Sequence, residues 1–170
     1  MGSNYEREFK GILSGDREII ERITKTCDTV EKMNYARAAE RPFIVVRAAG
    51  SLGTADMVAL RDDASFIVEV KSSSFDVIRF TEQSGRLQEQ ALFMKNECER
   101  AGVLPIYAYR LKGVRGDFWR IFTLDMRMPE GRSRILHSRI PRIETTKSGN
   151  YVMRWENGMK LSDFFGYICR

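Results

Sequence analysis

Asp56, Glu69 and Lys71 are the residues of this chain whose types and spacing suit chemistry. Asp56 stands at the mouth of one apolar run, and Glu69-Val70-Lys71 closes the next. A strand repeats every two residues, so Glu69 and Lys71 share one face and Val70 takes the other. Two carboxylates and an ammonium then converge at one sheet edge. Carboxylates suit hard divalent cations such as Mg2+, and a lysine suits a water or a phosphate oxygen. The bland alternatives are a strand-end acid at Asp56, an edge glutamate at Glu69, and a Lys71 that only pairs with Glu69.

The elements that must position these groups follow from the apolar pattern. Asn4 to Leu13 has helical spacing at Tyr5, Phe9, Ile12 and Leu13, with Asn4 as a candidate cap. A second helix carries Ile19, Ile20 and Ile23, and the polar stretch from Asp28 to Arg41 is ambiguous before Pro42 stops any helix. Phe43 to Val46 reads as a buried strand and Arg47 to Thr54 as a loop. Asp56 to Leu60 and Ser65 to Lys71 read as strands joined by a short turn, an antiparallel hairpin. Thr81 to Ala101 reads as a long helix with Leu87, Ala91, Phe93, Met94 and Cys98 inward, capped by Gly102. Strands at Leu104–Tyr109 and Phe118–Leu124 complete a mixed sheet with helices against it. Beyond these, Arg132 to Arg142 reads as an exposed strand or mobile basic segment, Tyr151 to Trp155 as a short strand, and Leu161 to Ile168 as a closing helix or docked tail.

With 170 residues, 43% of them apolar, the chain is long enough for one domain with a substantial core. No apolar run approaches the ~20 residues that span a bilayer, and the first residues do not resemble a signal peptide. Cys27, Cys98 and Cys169 are far apart and form no CxxC pair, which speaks against zinc and disulfides and for a reducing, cytoplasmic setting. The formal charge is +5, and from Arg110 to Arg142 nine basic residues face three acids. A basic surface is the usual footprint of a nucleic-acid binder, though a solvated face is the plainer alternative. Gly50-Ser51-Leu52-Gly53 lacks the spacing of a nucleotide-binding P-loop. His137, the sole histidine, reads as solvated and leaves histidine-based metal or base schemes without their usual parts. Phe118, Trp119 and Phe122 read as packing residues, with any leftover aromatic face available to a two-fold partner.

The order of motifs resembles the archaeal-type Holliday junction resolvases, a branch of the PD-(D/E)xK nuclease superfamily. The matching stretches are Glu6-Arg7-Glu8-Phe9, Val46-Arg47-Ala48-Ala49-Gly50-Ser51, Asp56-Met57-Val58-Ala59, Phe66-Ile67-Val68-Glu69-Val70-Lys71 and Phe118-Trp119-Arg120-Ile121-Phe122. The resemblance implies a restriction-endonuclease-like α/β fold, a mixed β-sheet flanked by helices in a single domain over 1–170. It also implies Mg2+ as cofactor, with Mn2+ as a substitute, and metal ligands Asp56, Glu69, Glu6 and the carbonyl of Val70. Lys71 would be the catalytic lysine, Ser51 a catalytic or phosphate-contacting hydroxyl, and Arg7 and Arg47 basic groups near the phosphate. Gln83 and Arg86, one helical turn apart, are further candidates for DNA contact. The implied activity is paired hydrolysis of four-way DNA junctions by a homodimer, in a prokaryotic or viral cytoplasm, associated with the nucleoid. Rival readings are another endonuclease of the superfamily (restriction-like, repair or mobile-element) and a non-catalytic DNA-binding protein with a vestigial site. Two departures from the family pattern are a helical insertion near 15–42 and a basic C-terminal extension near 126–170.

Overall fold

The computed structural model describes residues 3–48 and 55–169, without the side chain of Gln83. The helices are α1 (Asn4–Leu13), α2 (Arg17–Ile23), α3 (Thr29–Glu40), α4 (Arg86–Ala101), α5 (Arg132–Arg139) and α6 (Leu161–Ile168). The strands are β1 (Ile44–Arg47), β2 (Met57–Leu60), β3 (Phe66–Ser73), β4 (Val77–Arg79), β5 (Leu104–Leu111), β6 (Trp119–Phe122), β7 (Glu144–Thr145), β8 (Tyr151–Arg154) and β9 (Met159–Lys160). Six strands form a mixed sheet in the order β1-β2-β3-β5-β6-β9, and β4-β8-β7 form a second, antiparallel one. Among the described strands of the large sheet only β3 and β5 run parallel, because α4 returns the chain between them; the other neighbours are antiparallel. This is the α/β fold expected, in one domain.

Alternation along β3 assigns the two faces of the sheet. Phe66, Val68 and Val70 belong to one core with Phe9, Ile12, Tyr35, Trp119 and Phe165, contributed by α1, α3, β6 and α6. Ile67 packs on the other, with Tyr107 and Tyr109 of β5, against Met94 of α4, Met153 of β8 and Phe80, which follows β4. Glu69 and Lys71 share the parity of Ile67 and therefore face the α4 side.

Local chemistry sets the helix ends. Ser3, not Asn4, caps α1, its hydroxyl accepting from the Glu6 N–H at 3.1 Å. The ambiguous stretch after Asp28 is a helix closed by a reciprocal box: Asp28 accepts from the Glu31 N–H and Glu31 from the Asp28 N–H. Gly102 ends α4 at φ 69°, as its position predicted. A 3-10 turn at Gln83–Gly85 precedes α4, so the helix itself begins at Arg86.

Four expectations are corrected. β1 is the sheet's edge and not a buried strand: Ile44 is 71% exposed, and Val46, Val58 and Leu60 stand open beside it. A run of β-branched residues signals a strand but cannot say which strand is outermost. Phe93 is 54% exposed, since Ala91, Met94 and Cys98 already define the inner side of α4. Trp119 and Phe122, by contrast, are fully buried and take the packing role expected of them. The segment from Arg132 is a helix, and its His137 is buried, with Nε2 2.8 Å from the Leu124 carbonyl oxygen and Nδ1 3.3 Å from Arg142.

The stretches near 15–42 and 126–170 are built into the cores. Tyr35 of α3 meets Phe165 of α6 with ring centroids 5.7 Å apart, and its hydroxyl donates to Asp117 at 2.7 Å. Asp117 also accepts from the Ser162 N–H at 2.8 Å, which caps the start of α6. From the C-terminal stretch, β9 extends the large sheet beside β6, and β7 and β8 supply two of the three strands of the second sheet.

Candidate active site

The hairpin register explains why Asp56 and Glu69 meet. β2 and β3 pair as Met57 with Val68 and Ala59 with Phe66, so one further step sets Asp56 across from Glu69. At that step the backbone leaves the regular ladder. The Asp56 N–H donates to the Val68 carbonyl at 2.9 Å, and Asp56 Oδ2 accepts from the Val70 N–H at 2.7 Å. Asp56 is thus fastened to the two residues that flank Glu69. Its own carbonyl accepts from the Ala48 N–H at 2.8 Å, which ties β1 into the same corner.

Glu69 is 3% exposed. Its Oε1 accepts from Lys71 Nζ at 2.6 Å, the pairing expected of two residues on one strand face. Its Oε2 is buried and has no partner among the described residues. A buried carboxylate oxygen left bare costs free energy unless another group or ion completes it. Burial, and after it the charge of Glu69, push the Asp56 carboxyl up from 3.8 to about 6, while the Val70 N–H pulls the other way. The charges of Glu6 and Lys71 also reach Asp56. The candidate acids therefore share one electrostatic neighbourhood.

Glu6 sits at its border. The Glu6 carboxylate accepts from Arg47 Nη2 at 3.0 Å, so the first acid of the Glu6-Arg7-Glu8 stretch is paired with a strand-end arginine. The second, Glu8, turns into the fold, where it accepts from Arg110 at 2.8 Å and from the Trp119 indole at 3.0 Å. One acid of that stretch thus faces the site and the other locks α1 onto β5 and β6.

Among the described residues, no group of three or more His, Cys, Asp and Glu side chains stands close enough to hold a metal ion by itself. The donors nevertheless fit a hard cation: two carboxylates across a hairpin, one buried oxygen with no partner, and neighbours that penalise a second uncompensated charge. Such a site leaves coordination positions for water and phosphate, as Mg2+ sites commonly do.

Of the other expected residues, Arg7 and Arg86 are exposed. Ser51 lies outside the described residues, as does the side chain of Gln83. Sequence reasoning missed Tyr107. It is the β5 partner of Glu69 in the parallel pair and is fully buried, and its hydroxyl has no partner among the described residues. Burial, then the charge of Glu69, push that hydroxyl well above the usual tyrosine range. Only the alternation of an apolar strand marks Tyr107, and that signal reads as core. The basic segment is less of a free surface than composition implied. Arg120 is buried with its guanidinium 3.8 Å from the centre of the Trp155 ring, and Arg110 is held between Glu8 and the rings of Tyr5 and Phe118.

No family model matches the chain, and no curated protein sequence does. Among solved structures, the 1.6 Å structure of Archaeoglobus fulgidus Hjc, a Holliday junction resolvase from an archaeal hyperthermophile, is similar at 16% identity. That match covers 75% of this chain and 89% of the other, with a TM-score of 0.49. Neither that identity nor that score assigns an activity. No helix among the described residues is long and apolar enough to cross a membrane.

Proposed function

We propose that this protein is a metal-dependent DNA endonuclease that resolves four-way junctions by hydrolysing phosphodiesters in pairs, as a homodimer. The observation that carries the reading is the bracketing of buried Glu69 by Asp56, with Lys71 on the same face and one Glu69 oxygen unpartnered among the described residues. Asp56 and Glu69 are the residues that would hold Mg2+, with the Val70 carbonyl and Glu6 at its margin. A bound Mg2+ would polarise a phosphate oxygen and make an attacking water more acidic. The chain's own groups do the rest. Lys71 orients that water and offsets the negative charge that develops as a P–O bond breaks. Arg47 keeps Glu6 in place, and the exposed Arg7 and Arg86 contact phosphates without reading bases.

Paired incision needs two sites. The cross-strand pairs Ile44–Leu60 and Val46–Val58 put four exposed apolar side chains on the β1–β2 hairpin, a surface suited to a second copy. The test is cleavage of a four-way junction, a flap and linear duplex, with Mg2+ and with chelator, by wild type and Glu69→Gln. The expected outcome is Mg2+-dependent nicking of the junction by wild type, and loss of nicking with retained junction binding in the variant. Equal cutting of linear duplex would transfer the reading to another endonuclease of the superfamily. Junction binding without nicking by either protein would leave a DNA-binding protein.

A further inference from the structure

Four buried side-chain polar atoms lack a partner among the described residues: Arg47 Nε, Glu69 Oε2, the Tyr107 hydroxyl and Ser162 Oγ. Ser162 belongs to the start of α6. Arg47 has the parity of Val45 and so belongs to the α1 face, while Glu69 and Tyr107 are neighbours on the α4 face. Arg47 ends β1 and pairs with Glu6; Glu69 lies across the hairpin from Asp56; Tyr107 is the β5 partner of Glu69. Buried polar groups in folded proteins are nearly always satisfied, so a neighbouring pair of bare ones marks a place completed by something else. Its atoms are an acceptor and a donor on partnered residues of adjacent strands. Parallel partners project to the same face. The Tyr107 ring is itself fixed, 5.6 Å from Phe80 between centroids, so its hydroxyl has little freedom to seek another partner.

From this juxtaposition we infer that Tyr107 is a positioning residue of the cation site. Its hydroxyl donates to a water ligand of the cation bound at Glu69, and so fixes the carboxylate that Lys71 also holds. The inference rests on the nuclease reading above and deepens it. Partners of this kind, one shell beyond the ligands, commonly change metal affinity or activity by 10–100-fold.

Tyr107→Phe tests it, because it keeps the ring against Phe80 and removes only an unpaired buried hydroxyl. In EDTA the variant is expected to melt at or above the wild-type temperature. By isothermal titration with Mn2+ and no DNA, its dissociation constant is expected to rise about tenfold. Junction binding in EDTA is expected to stay unchanged. Nicking is expected to fall at limiting Mn2+ and to recover as Mn2+ is raised, which a merely structural role would not produce. If wild type gives a Mn2+ isotherm and Tyr107→Phe gives the same one, the inference is wrong and the nuclease reading stands. If wild type itself binds no Mn2+ and does not nick, both fall.

Discussion

Asp56→Asn removes a charge that the folded chain accommodates poorly. In the native protein the Asp56 carboxyl is raised from 3.8 to about 6 by burial and by the charge of Glu69. The sign follows from proton binding. Below about pH 3.8 the group is neutral whether the chain is folded or not, and the charge costs nothing. Between 3.8 and about 6 the folded state holds a proton that the unfolded state has released, so stability falls as pH rises. Above about 6 the cost is complete and constant. That interval corresponds to about 3 kcal/mol at ~1.36 kcal/mol per pH unit. Asp56 is only half-buried, and solvent screening reduces the figure to roughly 1–2 kcal/mol. The asparagine amide would keep an acceptor for the Val70 N–H while losing the charge. In EDTA at pH 8, Asp56→Asn is therefore expected to melt about 3–6 °C above wild type, since 1 kcal/mol moves the midpoint of a chain this size by ~2–4 °C. At pH 4 the gap should nearly close. Mn2+ should reverse the order, because it stabilises only a protein that binds it: at a hundredfold excess over its dissociation constant the gain is about 2.7 kcal/mol. Melting curves at pH 4, 6 and 8, with EDTA and with Mn2+, test each step. A variant less stable than wild type at pH 8 in EDTA, or a gap independent of pH, would refute the electrostatic reasoning.

Lys71→Met should abolish nicking and also destabilise the fold by about 3 kcal/mol in EDTA, because it leaves the Glu69 carboxylate buried without its cation; denaturant melts against the Lys71→Met/Glu69→Gln double variant, which should recover most of the loss, check the assignment. Asp117→Ala should cost about 2–4 kcal/mol without touching Mn2+ affinity, since it strands the Tyr35 hydroxyl and the Ser162 N–H in the core. Calorimetry and Mn2+ titration of that variant separate the scaffold from the site, and a change in Mn2+ affinity would contradict the separation.

The hairpin was legible because its information is local. Apolar runs of four to seven residues, a polar turn and a period of two bring Asp56 to Glu69 and put Lys71 beside it, with no knowledge of the rest of the chain. The helix ends were nearly as plain, since caps are chosen by residues within one turn; the expected cap missed by one position, Ser3 taking the place of Asn4. The edge position of β1 was not legible. Ile44 and Val46 have the same composition as a central strand, and only the order of strands leaves them uncovered. The packing role of Trp119 was legible but its partner was not, since its indole is claimed by Glu8 from a helix more than a hundred residues earlier.

What the sequence by itself determined, then, is the pair of acids, the lysine and the strands that carry them, because each depends on neighbours a few residues away. Tertiary structure decided how those groups are completed. It fastened Asp56 to both residues flanking Glu69 and gave Glu6 to Arg47. It also made Tyr107 the strand partner of Glu69, the hydroxyl of one and an oxygen of the other being bare among the described residues. The physical reason is that hydrogen-bond satisfaction and desolvation depend on which segments meet across the sheet, and the parallel pairing of β3 with β5 joins residues nearly forty positions apart.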